Sequence, residues 1–175
     1  NRFLFLNSVN FFLNKKKISI LEVKIKKKNF HARYSAVKRI YKYVIINRNA
    51  PLTLDANKAW HIKNSLNIGL MKKAASLLEG RKDFSTYRAA SCGAKTPIRT
   101  LEQVKVKKTN NETVITFKSK SFLQKQVRSM VGCLKYVGIE KWDLQKFKDV
   151  MNSKERINCA PPAPAEGLYL KKISY

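Results

Sequence analysis

The stretch Leu123 to Val137 (LQKQVRSMVGCLKYV) constrains the fold most. It places Leu123, Val127, Met130, Val131, Leu134 and Val137 on one side of a helical projection. A helix with so broad an apolar stripe must be covered by a second layer. Sheet-forming segments elsewhere in the chain can supply that layer. Arg39 to Asn47 (RIYKYVIIN) is rich in β-branched and aromatic residues and reads as a strand ended by Asn49-Ala50-Pro51. Leu101 to Lys107 and Thr113 to Lys118 flank Thr109-Asn110-Asn111-Glu112, a hairpin signal. Gly167 to Tyr175 (GLYLKKISY) reads as a closing strand.

The remaining periodicity fills in the order. Ile18 to Lys26 alternates apolar and polar residues, with one slip of phase near Leu21, and reads as a strand. Asn67 to Leu78 has helical spacing with Gly80 as its stop, and Asp83 to Cys92 fits a strand followed by a loop. Trp142 to Met151 predicts a second helix after the amphipathic one, capped by Asp143. Pro161, Pro162 and Pro164 mark a loop. The expected fold is α+β: a mostly antiparallel sheet with helices packed on one face. Residues 2–13 are apolar but broken by Asn7, Ser8 and Asn10, and Lys15-Lys-Lys17 follows. They read as a short helix or loop of a larger fold, not as a leader.

Charge narrows the function. Lys and Arg total 37 against 11 acids, a net charge of +26 on 175 residues. Such a surface suits a polyanion, nucleic acid foremost, although Lys, Asn and Ile all have AT-rich codons and share in the bias. The nine arginines discriminate better than the lysines, because guanidinium grips phosphate with two bonds. Three well-separated cysteines exclude a disulfide framework and a CxxC zinc site and suit a reducing, cytoplasmic setting. No apolar run reaches the ~18 residues of a membrane span. With two histidines and no HExxH, P-loop or GxGxxG pattern, metal, nucleotide-cofactor and triad chemistry lack support.

Three segments combine unusual residues: Phe30-His-Ala-Arg-Tyr-Ser-Ala36 leading into Arg39-Ile-Tyr-Lys-Tyr43; Asp83-Phe-Ser-Thr-Tyr-Arg88 followed by Cys92 and Lys95-Thr-Pro-Ile-Arg99; and Ser121 to Gly132 paired with Ala165-Glu-Gly-Leu-Tyr-Leu170. In this order and spacing they resemble the tRNA pseudouridine synthase A family, from about Asn7 to Tyr175. The resemblance implies a pseudouridine-synthase-like fold of two α+β halves around a basic cleft. Residues 1–30 would be the tail of the first half and 31–175 the second. It implies isomerisation of uridine to pseudouridine in the anticodon stem-loop of tRNA, with no cofactor and no metal, by a homodimer. Tyr41 sits where the family has a tyrosine against the target base, a ring suited to stacking on a flipped uracil. Arg128 matches the arginine that holds the catalytic aspartate, and Leu168 belongs to the closing-strand motif beside the site. Arg33, Arg39, Arg88, Lys95 and Arg99 are candidate tRNA contacts, each with ordinary surface charge as the alternative. Asp83 is read as ordering a turn or pairing with an arginine, Glu166, Gly167 and Leu168 as packing, and Cys92 and Cys133 as buried small hydrophobes.

The match departs at one decisive place. The family's nucleophile is the Asp of a Gly-Arg-Thr-Asp-Ala-Gly stretch, and none of the eleven acids stands in such a context. The expectation is a piece of the enzyme lacking that segment and inactive alone. Lys82 also replaces a usual His, and Gln124-Lys-Gln126 stands where His-His-Met is typical. The alternative reading is a non-catalytic basic RNA-binding module.

Overall fold

A computed structural model describes all residues, 1–175. The chain divides into two compact units, Asn1–Ser35 and Ala36–Tyr175. The first contains one regular α-helix, α1 (Arg2–Leu13), capped by the Asn1 side chain on the Phe3 amide. No residue of α1 is buried, and Phe3, Phe5, Phe11 and Phe12 are exposed. The strand expected over Ile18 to Lys26 does not form. An alternating pattern becomes a strand only beside a partner backbone, and this unit contains no second strand. The Asn10 side chain supplies a single substitute: its amide donates to Ile20 O and its oxygen accepts from Ile20 N, both at 2.8 Å.

The second unit is a six-stranded sheet with three α-helices. Its strands are β1 (Lys38–Asn47), β2 (Trp60–Ile62), β3 (Gly80–Asp83), β4 (Ile98–Thr109), β5 (Glu112–Ser119) and β6 (Leu168–Ser174). The order is β2-β1-β5-β4-β3. β6 shares the outer edge of β1 with β2: β6 pairs antiparallel with residues 38–43 and β2 parallel with 45–47. All other pairs are antiparallel, so the α+β expectation holds with one short parallel pair added. Three-residue β2 leaves too little periodicity to read from sequence. The β4–β5 hairpin turns through Asn110 at φ 52°, a left-handed conformation that asparagine tolerates.

Register explains the layering. Tyr41↔Phe117↔Val104 and Tyr43↔Ile115↔Val106 lie in cross-strand rows on one face. A bulge between Leu101 and Gln103 changes the phase of β4, so Leu101 and Val104 both turn inward. On this face α2 (Ile68–Ser76) contributes Met71, Ala74 and Ala75, and α3 (Gln126–Gly138) contributes Val127, Met130, Val131, Leu134 and Val137. Leu123 precedes α3 yet joins the core, because buried Gln126 reaches back to accept from the Leu123 amide at 2.8 Å. α4 (Leu144–Asn152) is capped by Asp143, whose Oδ1 accepts from Lys146 N at 2.6 Å, and buries Phe147 and Val150. The opposite sheet face holds only a small apolar cluster of Val44, Ile46 and Ala59, flanked by Tyr169.

The contrast between the units is testable. Phe117→Ala removes a fully buried ring and is expected to cost about 3–5 kcal/mol in denaturant unfolding. Leu21→Ala, at a residue 88% exposed, is expected to stay within about 0.5 kcal/mol.

Candidate functional site

The edge of the core where β1, β6 and the start of α3 meet carries three of the nominated residues, Tyr41, Arg128 and Leu168. Tyr41, half-buried on β1, packs edge-on against Phe122 with ring centroids 5.2 Å apart. Two residues on and on the same face, Tyr43 is fully buried, and its hydroxyl donates to Pro164 O at 2.7 Å. Burial pushes the Tyr43 phenol well up; the charge of Glu166 adds to this and that of Arg128 opposes it. Both charged groups therefore sit within electrostatic reach of the phenol. Leu168 lies opposite Tyr43 in the β1–β6 register and packs against the same core.

Arg128, half-buried on α3, is tied to the loop that precedes β6. Its Nε donates to Ala163 O at 2.6 Å, and Ala163 N donates to Arg128 O at 2.9 Å. No carboxylate lies within ion-pair distance of it. Its guanidinium is thus oriented by main chain and makes no ion pair. In a site that restricts water, such a group attracts and keeps ionised any carboxylate brought against it.

Two glycines permit this arrangement. A Cβ on Gly132 would stand 2.1 Å from Pro161 O, so only glycine lets the Pro161–Ala163 strap lie against α3. A Cβ on Gly167 would stand 2.7 Å from both Tyr43 Cζ and Val44 O, which is where β6 begins its pairing with β1. The sequence reading gave Gly167 a packing role on its motif alone; nothing in the local pattern distinguishes Gly132.

The cationic candidates are distributed. Arg39 lies two residues before Tyr41 on β1, and its Nη1 donates to Lys120 O at 2.5 Å. Arg88 donates to Cys92 O and Ala94 O at 2.6 and 2.8 Å. Arg99 donates to Thr96 O and Ile98 O at 2.9 and 2.6 Å. These last two brace the loop that carries exposed Lys95. Arg33 belongs to the first unit, 5.6 Å from the Tyr34 ring centroid. Asp83 orders a turn, its Oδ1 accepting from Ser85 N at 2.8 Å. Cys92 and Cys133 are buried. Phe122, Tyr43 and Ala163 were not singled out as site residues by sequence. The alternation of Tyr41 and Tyr43 was the one signal for Tyr43, whereas a main-chain partner such as Ala163 leaves no trace in residue type.

The chain is similar in sequence to known proteins. A sequence model of the tRNA pseudouridine synthase family matches residues 74–175. Over 170 residues the chain is 55% identical to a tRNA pseudouridine synthase A of Pelagibacter ubique, covering 97% of this chain and 69% of that protein. It is 40% identical over 169 residues to the protein of that name in Maricaulis maris, covering 97% and 68%. For that of Parvibaculum lavamentivorans the figures are 41% over 169 residues, 97% and 69%.

The glycine seam generates the expectation for this region. Gly132→Ala is expected to lift the strap from α3 and lower stability by about 2–4 kcal/mol in urea unfolding. Gly93→Ala, where an added Cβ meets nothing within 4 Å, is expected to change stability by less than about 0.5 kcal/mol.

Proposed function

The chain belongs to the tRNA pseudouridine synthase A family, and from this we propose that it acts in the isomerisation of uridine to pseudouridine in tRNA through the site at Tyr41, Arg128 and Leu168. The observation that carries this reading is Arg128: half-buried, held by two hydrogen bonds to the Ala163 main chain, and without an ion pair. That is the local environment a reactive carboxylate needs to stay charged beside a base.

In this reading a uridine leaves the stack and enters beside β1. Tyr41 presents its ring to the uracil while Phe122 supports it from the side. Leu168 supplies an apolar wall beside Tyr43. The carboxylate acts as nucleophile or base: the N1–C1′ bond breaks, C1′ rejoins the base at C5, any bond made to the carboxylate is released, and C5 loses its proton as N1 gains one. Arg128 holds that carboxylate and keeps it ionised. None of the eleven acids here lies in the Gly-Arg-Thr-Asp-Ala-Gly context that the resemblance requires, so the 175 residues alone are proposed to bind tRNA without turnover. Arg39, Lys95 and Arg33 are proposed phosphate contacts. Arg88 and Arg99 shape the loop that presents Lys95. The anticodon stem-loop as target, a homodimer as working form and the cytoplasm as location complete the proposal.

The test joins the chain to a segment bearing the Asp motif and follows pseudouridine formation. Arg128→Ala is expected to lower kcat about 100-fold or more, with tRNA affinity changed less than about threefold. Tyr41→Ala is expected to lower kcat similarly. Equal turnover in the variants would contradict these roles and favour a binding module. Turnover by the 175 residues alone would contradict the need for the Asp motif.

A further inference from the structure

We propose that Cys133 and Cys159 form a reversible dithiol–disulfide site oxidised by small hydroperoxides, with half-buried Cys159 as the sulfur oxidised first. This inference is independent of the tRNA chemistry and uses residues that the proposed mechanism leaves aside.

The two sulfurs are 3.5 Å apart. Cys133 is fully buried on α3, and Cys159 follows a short 3₁₀ turn, Arg156–Asn158, at the start of the proline loop. A disulfide has its sulfurs at about 2.05 Å, so bond formation needs an approach of roughly 1.5 Å. The loop side can supply that approach, because Cys159 is the less enclosed of the two. Arg156 is fixed beside the pair, its Nη1 donating to Ser129 Oγ at 3.1 Å and to Thr86 O at 3.4 Å. The hydrogen-bond contact with Cys133, and after it the Arg156 charge, hold the Cys159 thiol below its usual range against the opposing effect of burial. The contact with Cys159, and after it burial, push the Cys133 thiol far up. One sulfur is thus suited to be the thiolate that attacks and the other the thiol that resolves.

The steps balance. The Cys159 thiolate attacks the distal oxygen of a hydroperoxide; the S–O bond forms, the O–O bond breaks, and the alcohol leaves after taking a proton. Cys133 sulfur then attacks the sulfenic sulfur; the S–S bond forms, the S–O bond breaks, and water leaves with the Cys133 proton. The two thiols lose two electrons, and the peroxide is reduced to alcohol and water.

The consequence falls on the strap. From Cys159 the chain passes Gly132 at Pro161 and binds Arg128 at Ala163. A covalent bond at its start fastens to α3 the same segment that orients Arg128. Cys92 serves as the internal control: backbone hydrogen bonds at Ala94 and Gln124 and the Arg88 charge hold its thiol below its usual range as well, but it is buried and the one sulfur–sulfur contact is between Cys133 and Cys159.

The experiment treats the reduced, folded chain with equimolar hydrogen peroxide, followed by thiol titration and peptide mass mapping. The expected result is loss of two of the three free thiols, a mass lower by about 2 Da and a peptide linking Cys133 to Cys159. Dithiothreitol is expected to reverse these changes, and the oxidised form to melt higher by on the order of 5 °C. Cys159→Ser is expected to leave Cys133 unreacted. Cys133→Ser, or Cys133→Ala if serine is not tolerated in the core, is expected to leave a sulfenic acid on Cys159 that dimedone traps. Three results would overturn the proposal: Cys92 reacting first, wild-type Cys159 passing to sulfinic acid with no cross-link, or all three thiols surviving peroxide that oxidises them in the unfolded chain.

Discussion

The strap between Cys159 and Gly167 lies along α3 and meets the end of Tyr43, and the candidate site takes its geometry from that seam. Its hydrogen bonds come in order along the chain: Ala163 with Arg128 in both directions, then Pro164 O with the Tyr43 hydroxyl. Glycine at 132 and at 167 allows backbone to approach closer than any side chain would permit. Buried main-chain groups need partners. Here those partners are a long arginine and a tyrosine, so satisfying the loop also positions the polar groups at the mouth of the site. The prolines stiffen this loop, which reduces the entropy lost in fixing it.

Charge sets the second constraint. Against 37 cations the eleven acids make few ion pairs: Lys24 with Glu22, and Lys38 and Lys118 sharing Glu102. The sheet face away from the helices presents Lys42 stacked 4.7 Å from the Tyr169 ring centroid, with Lys105 and Lys118 on neighbouring strands. Exposed pairs of this kind contribute little to stability. The apolar core on the other face holds the fold, and the cations remain for a polyanion. A phosphate backbone would release counterions on binding such a surface, which gives the interaction a steep salt dependence.

Much of the second unit was legible, because its signals are strong and local. The β-branched and aromatic run of β1, the Asn-Asn turn and the apolar stripe of α3 each state one conformation. Asp143 and Asn67 declare their helix starts through side chains that accept from Lys146 and Leu70. Ile18 to Lys26 misled because alternation says what a strand would bury and not whether another strand is there to pair. β2 escaped because three residues show no period. Motif resemblance brought Tyr41 and Arg128 forward as candidates, but it assigned no role to Phe122 or Ala163, which touch them in the structure. The main-chain bonds of Arg88 and Arg99 depend on the path of a loop, which residue type does not encode.

In the proposed reaction, uridine meets this chain at the β1–α3 edge. Photocrosslinking tests it most directly: a tRNA anticodon stem-loop carrying 5-bromouridine at the target position, irradiated with the protein and mapped by peptide mass spectrometry. The adduct is expected at Tyr41 or on the adjoining Phe122 segment. An adduct confined to α4 or to the Asn110 turn, with Tyr41 and Phe122 unmodified, would contradict it.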